Sequence, residues 1–143
     1  MKASARNVYE GTVLTVQKGA VNDEIEIVLD GGNTRITSVI TSKSSKTLGL
    51  ESGKRVFSMF KAPWVILLTD SEGVRFSARN QLVGTIVSVK EGTVNAEVRV
   101  RLDGGEGLTA IVTLDSVKSM GLEAGNRVTA LVKASNVILG VRD

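Results

Sequence analysis

The residues Ser4-Ala5-Arg6-Asn7 occur a second time as Ser77-Ala78-Arg79-Asn80, an offset of 73 positions. At that offset Gly11-Thr12 matches Gly84-Thr85, Val21-Asn22 matches Val94-Asn95, and Leu29-Asp30-Gly31-Gly32 matches Leu102-Asp103-Gly104-Gly105. One residue is then lost near Asn33 and the offset becomes 72. Beyond the gap Thr41 aligns with Thr113, Gly49-Leu50-Glu51 with Gly121-Leu122-Glu123, Lys61-Ala62 with Lys133-Ala134, and Val65-Ile66-Leu67 with Val137-Ile138-Leu139. A single gap over the whole length marks tandem duplication, and a repeat of this kind sets the fold before any local propensity does. Residues 1–70 read as a first module, 71–76 as a connector and 77–143 as a second module.

Each module reads as five short strands and one short helix. Residues 8–17 and 24–30 are rich in β-branched side chains, with Ile25, Ile27 and Leu29 alternating as in a half-buried strand. Gly19–Asp23 is a polar turn between them, and Gly31-Gly32-Asn33 turns the chain into a third strand over 34–41. Thr41 or Ser42 is placed to cap a short helix ending at Gly49, where a left-handed residue is expected. Strands at about 55–61 and 64–68 follow, with Pro63 between them, where it removes no ladder hydrogen bond. The expectation is a mainly β chain of two tandem OB-like, five-stranded Greek-key barrels, each with one helix. A module of about 70 residues makes a marginal core, which favours association between chains.

Composition removes most chemistry. There is no cysteine and no histidine, so disulfides, thiolate metal sites and the commonest general base are all absent. Acidic residues are scattered singly, no P-loop is present, and an enzyme is not expected. No directly coordinated metal cation and no organic cofactor is expected either. Residues 1–6 lack the apolar stretch of a signal peptide, and the longest apolar run, Val65-Ile66-Leu67-Leu68, is far short of the roughly 20 residues that span a bilayer. A cytoplasmic protein without a membrane partner is the resulting expectation. Single-stranded nucleic acid is the alternative ligand for an OB-type barrel, but it needs aromatic platforms. Tyr9, Phe57, Phe60 and Trp64 align with Leu82, Thr129, Val132 and Asn136, and Phe76 precedes the second repeat, so no platform recurs.

What recurs is a set of donors. Ser4/Ser77, Arg6/Arg79, Thr41/Thr113 and Lys61/Lys133 are kept, together with the small turns Gly19–Asn22 and Gly92–Asn95. Hydroxyls, turn amides and single cations, without carboxylates, suit a tetrahedral dianion such as molybdate, which carries no proton to donate at neutral pH. Each position also has an ordinary reading: Arg6 and Lys61 as solvated charges, the threonines as helix caps, the Val-Asn turns as hairpin connections.

Ser-Ala-Arg-Asn, followed by Gly-Thr, Val-Asn and Lys-Ala before an apolar strand, resembles the Mop-domain family of molybdate-binding proteins, the molbindins. The resemblance spans the chain twice, as in the two-module type, and Lys61-Ala62-Pro63-Trp64-Val65 is similar to the C-terminal region of the molybdate-responsive regulator. It implies a free-standing module pair, without the regulator's helix-turn-helix or the importer's ATPase domain. It further implies a homotrimer that stores molybdate or tungstate at two kinds of subunit-interface site. One kind would use Ser4, Ala5, Arg6, Lys61 and Ala62 with Thr41 of a neighbouring chain, and again Ser77, Ala78, Arg79, Lys133 and Ala134 with Thr113. The other would lie on the threefold axis, where three copies of Gly19-Ala20-Val21-Asn22 meet, and three of Gly92-Thr93-Val94-Asn95. Ser135 in place of Pro63 adds a hydroxyl to one interface set, and Thr93 in place of Ala20 distinguishes the axial turns.

Overall fold

A computed structural model describes residues 1–143. The first half runs β1 (Asn7–Gln17), β2 (Asn22–Leu29), β3 (Arg35–Thr41), α1 (Ser42–Leu48), β4 (Arg55–Phe60), a 3-10 turn (Ala62–Trp64) and β5 (Ile66–Leu68). The second repeats it as β6 (Asn80–Glu91), β7 (Asn95–Leu102), β8 (Gly107–Thr113), α2 (Leu114–Met120), β9 (Arg127–Val132), a 3-10 turn (Ala134–Asn136) and β10 (Ile138–Gly140). The expected mainly β architecture of two OB-like modules is present, with two curled five-stranded sheets and two helices.

The strand orders are β10-β4-β1-β2-β3 and β5-β9-β6-β7-β8, with every pairing antiparallel. Each module's last short strand therefore completes the other module's sheet. Ile138 pairs with Met59 and Gly140 with Phe57, while Ile66 pairs with Leu131 and Leu68 with Thr129. The compact units are accordingly Met1–Phe60 with Lys133–Asp143, and Lys61–Val132. The division at 1–70 and 77–143 describes the repeat and not these units. Repeat alignment is blind to which copy a strand pairs with, because β5 and β10 carry the same Val-Ile-Leu pattern.

Alternation places the cores. Along β2 the side chains of Asp23, Ile25, Ile27 and Leu29 turn inward, and along β7 those of Ala96, Val98, Val100 and Leu102. The long strands β1 and β6 each serve two neighbours: in β1, Asn7–Thr12 pair with β4 and Gly11–Gln17 with β2. A bulge between Val13 and Thr15, matched between Ile86 and Ser88, bends the strand so that one sheet curls on itself. Gly11 and Gly84 sit just before these bulges, where the neighbouring strand approaches closely. A Cβ on Gly11 would stand 2.5 Å from the Val28 carbonyl oxygen, and one on Gly84 2.5 Å from that of Arg101.

The expected helices form as read, with Thr41 and Thr113 as N-caps and left-handed Gly49 and Gly121 (φ 64°) closing them. The strand expected over 64–68 is shorter, because residues 62–64 make a 3-10 turn. Proline is not its cause. The second copy makes the same turn with Ser135 in place of Pro63, the Asn136 N–H donating to Lys133 O at 2.9 Å as the Trp64 N–H donates to Lys61 O at 3.0 Å.

Two substitutions test this packing in urea denaturation. Gly11→Ala forces apart backbone that cannot yield cheaply, and should cost about 1–3 kcal/mol. Ser58 is buried in β4 with a hydroxyl that finds no partner, where the second unit has Ala130. Ser58→Ala should be neutral or stabilising by about 1 kcal/mol, since it removes an unsatisfied polar group; a loss of stability would show that the hydroxyl is bonded.

Candidate functional site

The Ser-Ala-Arg-Asn motif divides into two roles. Asn7 and Asn80 are buried, and they open the rungs where β1 meets β4 (Asn7 opposite Phe60) and β6 meets β9 (Asn80 opposite Val132). Asn80 Nδ2 donates to the Val132 carbonyl at 3.1 Å, and the Tyr9 hydroxyl donates to Asn7 Oδ1 at 3.4 Å. These side chains fix the strand ends. Ser4, Ala5 and Arg6 lead directly into the first rung, and Lys61-Ala62 follow directly from its other strand. Ser77, Ala78, Arg79 and Lys133-Ala134 bear the same relation to the second rung. Ser4, Arg6, Ser77, Arg79, Lys61, Lys133 and Ser135 are exposed, whereas Ala62 and Ala134 are buried. Strand exchange assigns Lys133, Ala134 and Ser135 to the unit of Ser4–Arg6, and Lys61 and Ala62 to the unit of Ser77–Arg79.

Thr41 and Thr113 are helix caps in the same geometry. Each side chain accepts the N–H of Ser44 or Ser116 at 3.1 Å and shares a 2.8 Å hydroxyl contact with that serine. The recurring Thr-x-x-Ser was a readable signal for this pair, and the serines were not among the residues singled out. Each threonine borders a groove. In the first unit a groove of about 640 Å³ joins Thr41, Ser44 and Asn22 to Ser135 and Ile138. In the second, a groove of about 360 Å³ joins Thr113, Ser116 and Asn95 to Pro63 and Ile66. Ile138 and Ile66 are 52 % and 57 % exposed there.

The Val-Asn turns project at the same strand ends as the caps, since Asn22 pairs with Thr41 and Asn95 with Thr113. Val21 and Val94 are 73 % and 74 % exposed at the tips. In neither turn is the glycine N–H free: that of Gly92 donates to Asn95 O at 2.8 Å, and that of Gly19 to Asp23 Oδ1 at 3.2 Å. Glycine is required because the asparagine carbonyl occupies the place of a Cβ in both turns.

Asp23 was not singled out from sequence, having no acidic counterpart. It is only 3 % exposed, and the Ser42 hydroxyl donates to its Oδ1 at 2.6 Å. That bond is the main reason its carboxyl lies below the ordinary carboxylate range. Burial opposes the shift, while Ser45, the Gly19 N–H and the charge of Lys18 add to it. The second unit replaces Asp23, Ser42 and Ser45 together by Ala96, Leu114 and Val117. A hydrogen-bonded cluster in one unit is an apolar cluster in the other.

Other recurrent residues are structural. Arg55 forms a two-pronged pair with Asp30 (2.6 and 2.8 Å) and reaches Thr12 at 3.1 Å; Arg127 does the same with Asp103 (2.7 and 2.8 Å) and Thr85 (3.1 Å). The pairing lowers both aspartate pKa values and raises those of the arginines. Among the aromatic rings, Tyr9 packs near Phe60, Phe57 lies under Arg142, and Trp64 stands beside Lys61. No three His, Cys, Asp or Glu side chains converge as a cation site. No helix is long and apolar enough to cross a membrane.

The family model for the TOBE domain matches twice, over residues 3–67 and 77–139. This chain belongs to the TOBE-domain family. Among its relatives, the molybdenum transport protein ModE of Azotobacter vinelandii is 43 % identical over 99 % of the chain, and the molybdenum-pterin-binding protein MopA of Rhodobacter capsulatus is 40 % identical over 99 %. The chain spans about half the length of both, 52 % and 53 %. A crystal structure of the cytoplasmic molybdate-binding protein ModG with molybdate bound superposes with a TM-score of 0.94 at 50 % identity, covering 99 % of this chain and all of that one. The Mop-type resemblance read from the repeated Ser-Ala-Arg-Asn and its following motifs is thus correct. The names of these relatives describe binding and transport, not catalysis.

The buried carboxylate of the first TOBE unit makes its stability pH-dependent. A folded pKa below the ordinary value means that the stabilisation is complete above about pH 4 and is lost as pH falls through the lowered value. Combining Asp23→Ala, Ser42→Leu and Ser45→Val should flatten the acid limb of a stability–pH profile followed by circular dichroism. An unchanged acid limb would show that Asp23 does not contribute to it.

Proposed function

We propose that this two-module TOBE protein binds molybdate, and tungstate by the same chemistry, at the interfaces of a homotrimer that stores the oxyanion in the cytoplasm. The observation carrying this reading is the pair of matched donor sets at the closing rungs. Ser4, the Ala5-Arg6 backbone, Lys61 and Ala62 flank one rung, and Ser77, Ala78, Arg79, Lys133 and Ala134 flank the other, with no acidic residue in either. A dianion requires donors and one or two cations from which water is partly excluded. The exposed parts supply the donors, and a neighbouring chain's groove, bearing Thr41 or Thr113, supplies the enclosure. Ile66 and Ile138, exposed in these grooves, support burial by further copies of the chain. Three chains carry a formal +9, three times the +3 of one, a field that gathers anions. The binding of molybdate by ModG, at 50 % identity over the whole chain, supports the choice of oxyanion.

The axial turns form a second class of site in this reading. Their donors are the amides of residues 20–22 and 93–95 and the Asn22 and Asn95 side chains, because the Gly19 and Gly92 amides are already bonded. Calorimetric titration with molybdate tests the whole proposal: two classes of site are expected, with sulfate weaker because its tetrahedron is smaller. Lys61→Met with Lys133→Met should weaken the interface class by about tenfold or more, the worth of a charge-assisted bond, and leave the turns. An absence of heat at millimolar molybdate would reject the proposal, and loss of both classes together would reject the division of residues.

A further inference from the structure

We propose that Asp23 is an affinity-setting residue that makes the first axial turn the weaker oxyanion site of the two. The inference rests on the turn sites of the preceding subsection and adds a determinant to them. The turns have the same frame: glycine against the asparagine carbonyl, an exposed valine at the tip, and a backbone bond from the helix start to that valine's carbonyl (Ser42 N–H to Val21 O, 2.8 Å; Leu114 N–H to Val94 O, 2.9 Å). They differ in what lies beneath. Under Gly19–Asn22 a buried carboxylate accepts the Gly19 N–H and the Ser42 hydroxyl, which also reaches the Gly19 carbonyl at 3.3 Å. Under Gly92–Asn95 the corresponding residues are the apolar Ala96 and Leu114.

A carboxylate bonded directly to the turn repels a dianion held by the next amides, and burial leaves that repulsion poorly screened. Threefold association multiplies it, because each of three chains brings its own Asp23. Exposed charges around the turns also differ, Lys18 and Lys43 in the first against Lys90, Glu91 and Asp115 in the second. Those side chains stand in solvent, where salt screens them, so the buried charge dominates. Thr93 further offers a hydroxyl where Ala20 has none. The outcome is a graded pair, a tight second turn and a first turn that fills only at higher oxyanion concentration.

The polar and apolar clusters are interchangeable sets, which gives variants expected to remain folded. In trimer carrying Lys61→Met and Lys133→Met, so that the turns dominate, molybdate titration should resolve a tight and a weak class. Asp23→Ala with Ser42→Leu and Ser45→Val should raise the weak class by at least about tenfold. Asp23→Asn, which keeps an acceptor for Ser42 but removes the charge, should raise it also. The reverse transplant, Ala96→Asp with Leu114→Ser and Val117→Ser, should weaken the tight class. Unchanged affinities in variants that retain native circular dichroism and trimer mass would overturn the role of Asp23 while leaving the turn sites standing. A rise in the triple variant without one in Asp23→Asn would overturn it too, by assigning the effect to packing. If the parent lacking both lysines binds no molybdate at all, the turn sites themselves are rejected.

Discussion

Antiparallel pairing of a three-residue strand with the other module's fourth strand is the interaction on which the rest of the architecture depends. β10 closes the sheet built on β4, and β5 closes the one built on β9. Neither unit has its fifth strand unless the chain crosses over after Phe60 and again after Val132. Each crossing carries a lysine and a buried alanine, followed by a tight turn and then a leucine (Leu67 or Leu139) that enters the core. Core packing thereby dictates where the two lysines emerge. A module of this size gains little from its own burial, and the exchanged strand adds Leu67 or Leu139 to each core.

Burial and exposure then sort the recurrent residues by role. Gly11 and Gly84 recur because backbone lies where a side chain would go, and Arg55 with Asp30 recurs as Arg127 with Asp103 because the pair ties β4 to the β2–β3 turn. Asn7 and Asn80 recur because a buried amide secures the closing rung. With these assigned to structure, the exposed recurrent donors are Ser4, Arg6, Lys61 and the turn tips with their second copies, while the exposed recurrent acid, Glu51 with Glu123, follows the helix stop and lies outside those sets. The Asp23 cluster is the opposite case: it does not recur, and the non-recurrence is informative because three residues changed together, from polar to apolar.

Much of this was legible in the chain. The period-2 runs, the Thr caps and the glycine stops located β1 to β4 and α1 to within a few residues, because each rests on local chemistry. The 3-10 turn at 62–64 was not legible as such, since its second copy lacks proline and the turn follows from the path into β5. Strand exchange escaped because Val65-Ile66-Leu67 and Val137-Ile138-Leu139 are identical, and nothing local says which β4-type strand each will join. The donor sets were visible through duplication, but Asp23 was not, since only the fold brings it beneath Gly19 and against Ser42. Recurrence alone also overcounted, for the glycine amides of both turns are consumed internally.

The central claim is that the recurrent exposed donors, and not the recurrent structural residues, hold molybdate. Crystals of the protein soaked in molybdate and measured at the molybdenum absorption edge test this most directly. The account predicts anomalous peaks beside Ser4 and Lys61, beside Ser77 and Lys133, and at the tips of the Gly19–Asn22 and Gly92–Asn95 turns. Peaks confined to the Arg55 or Arg127 pairs, or none at any of these donors, would contradict it.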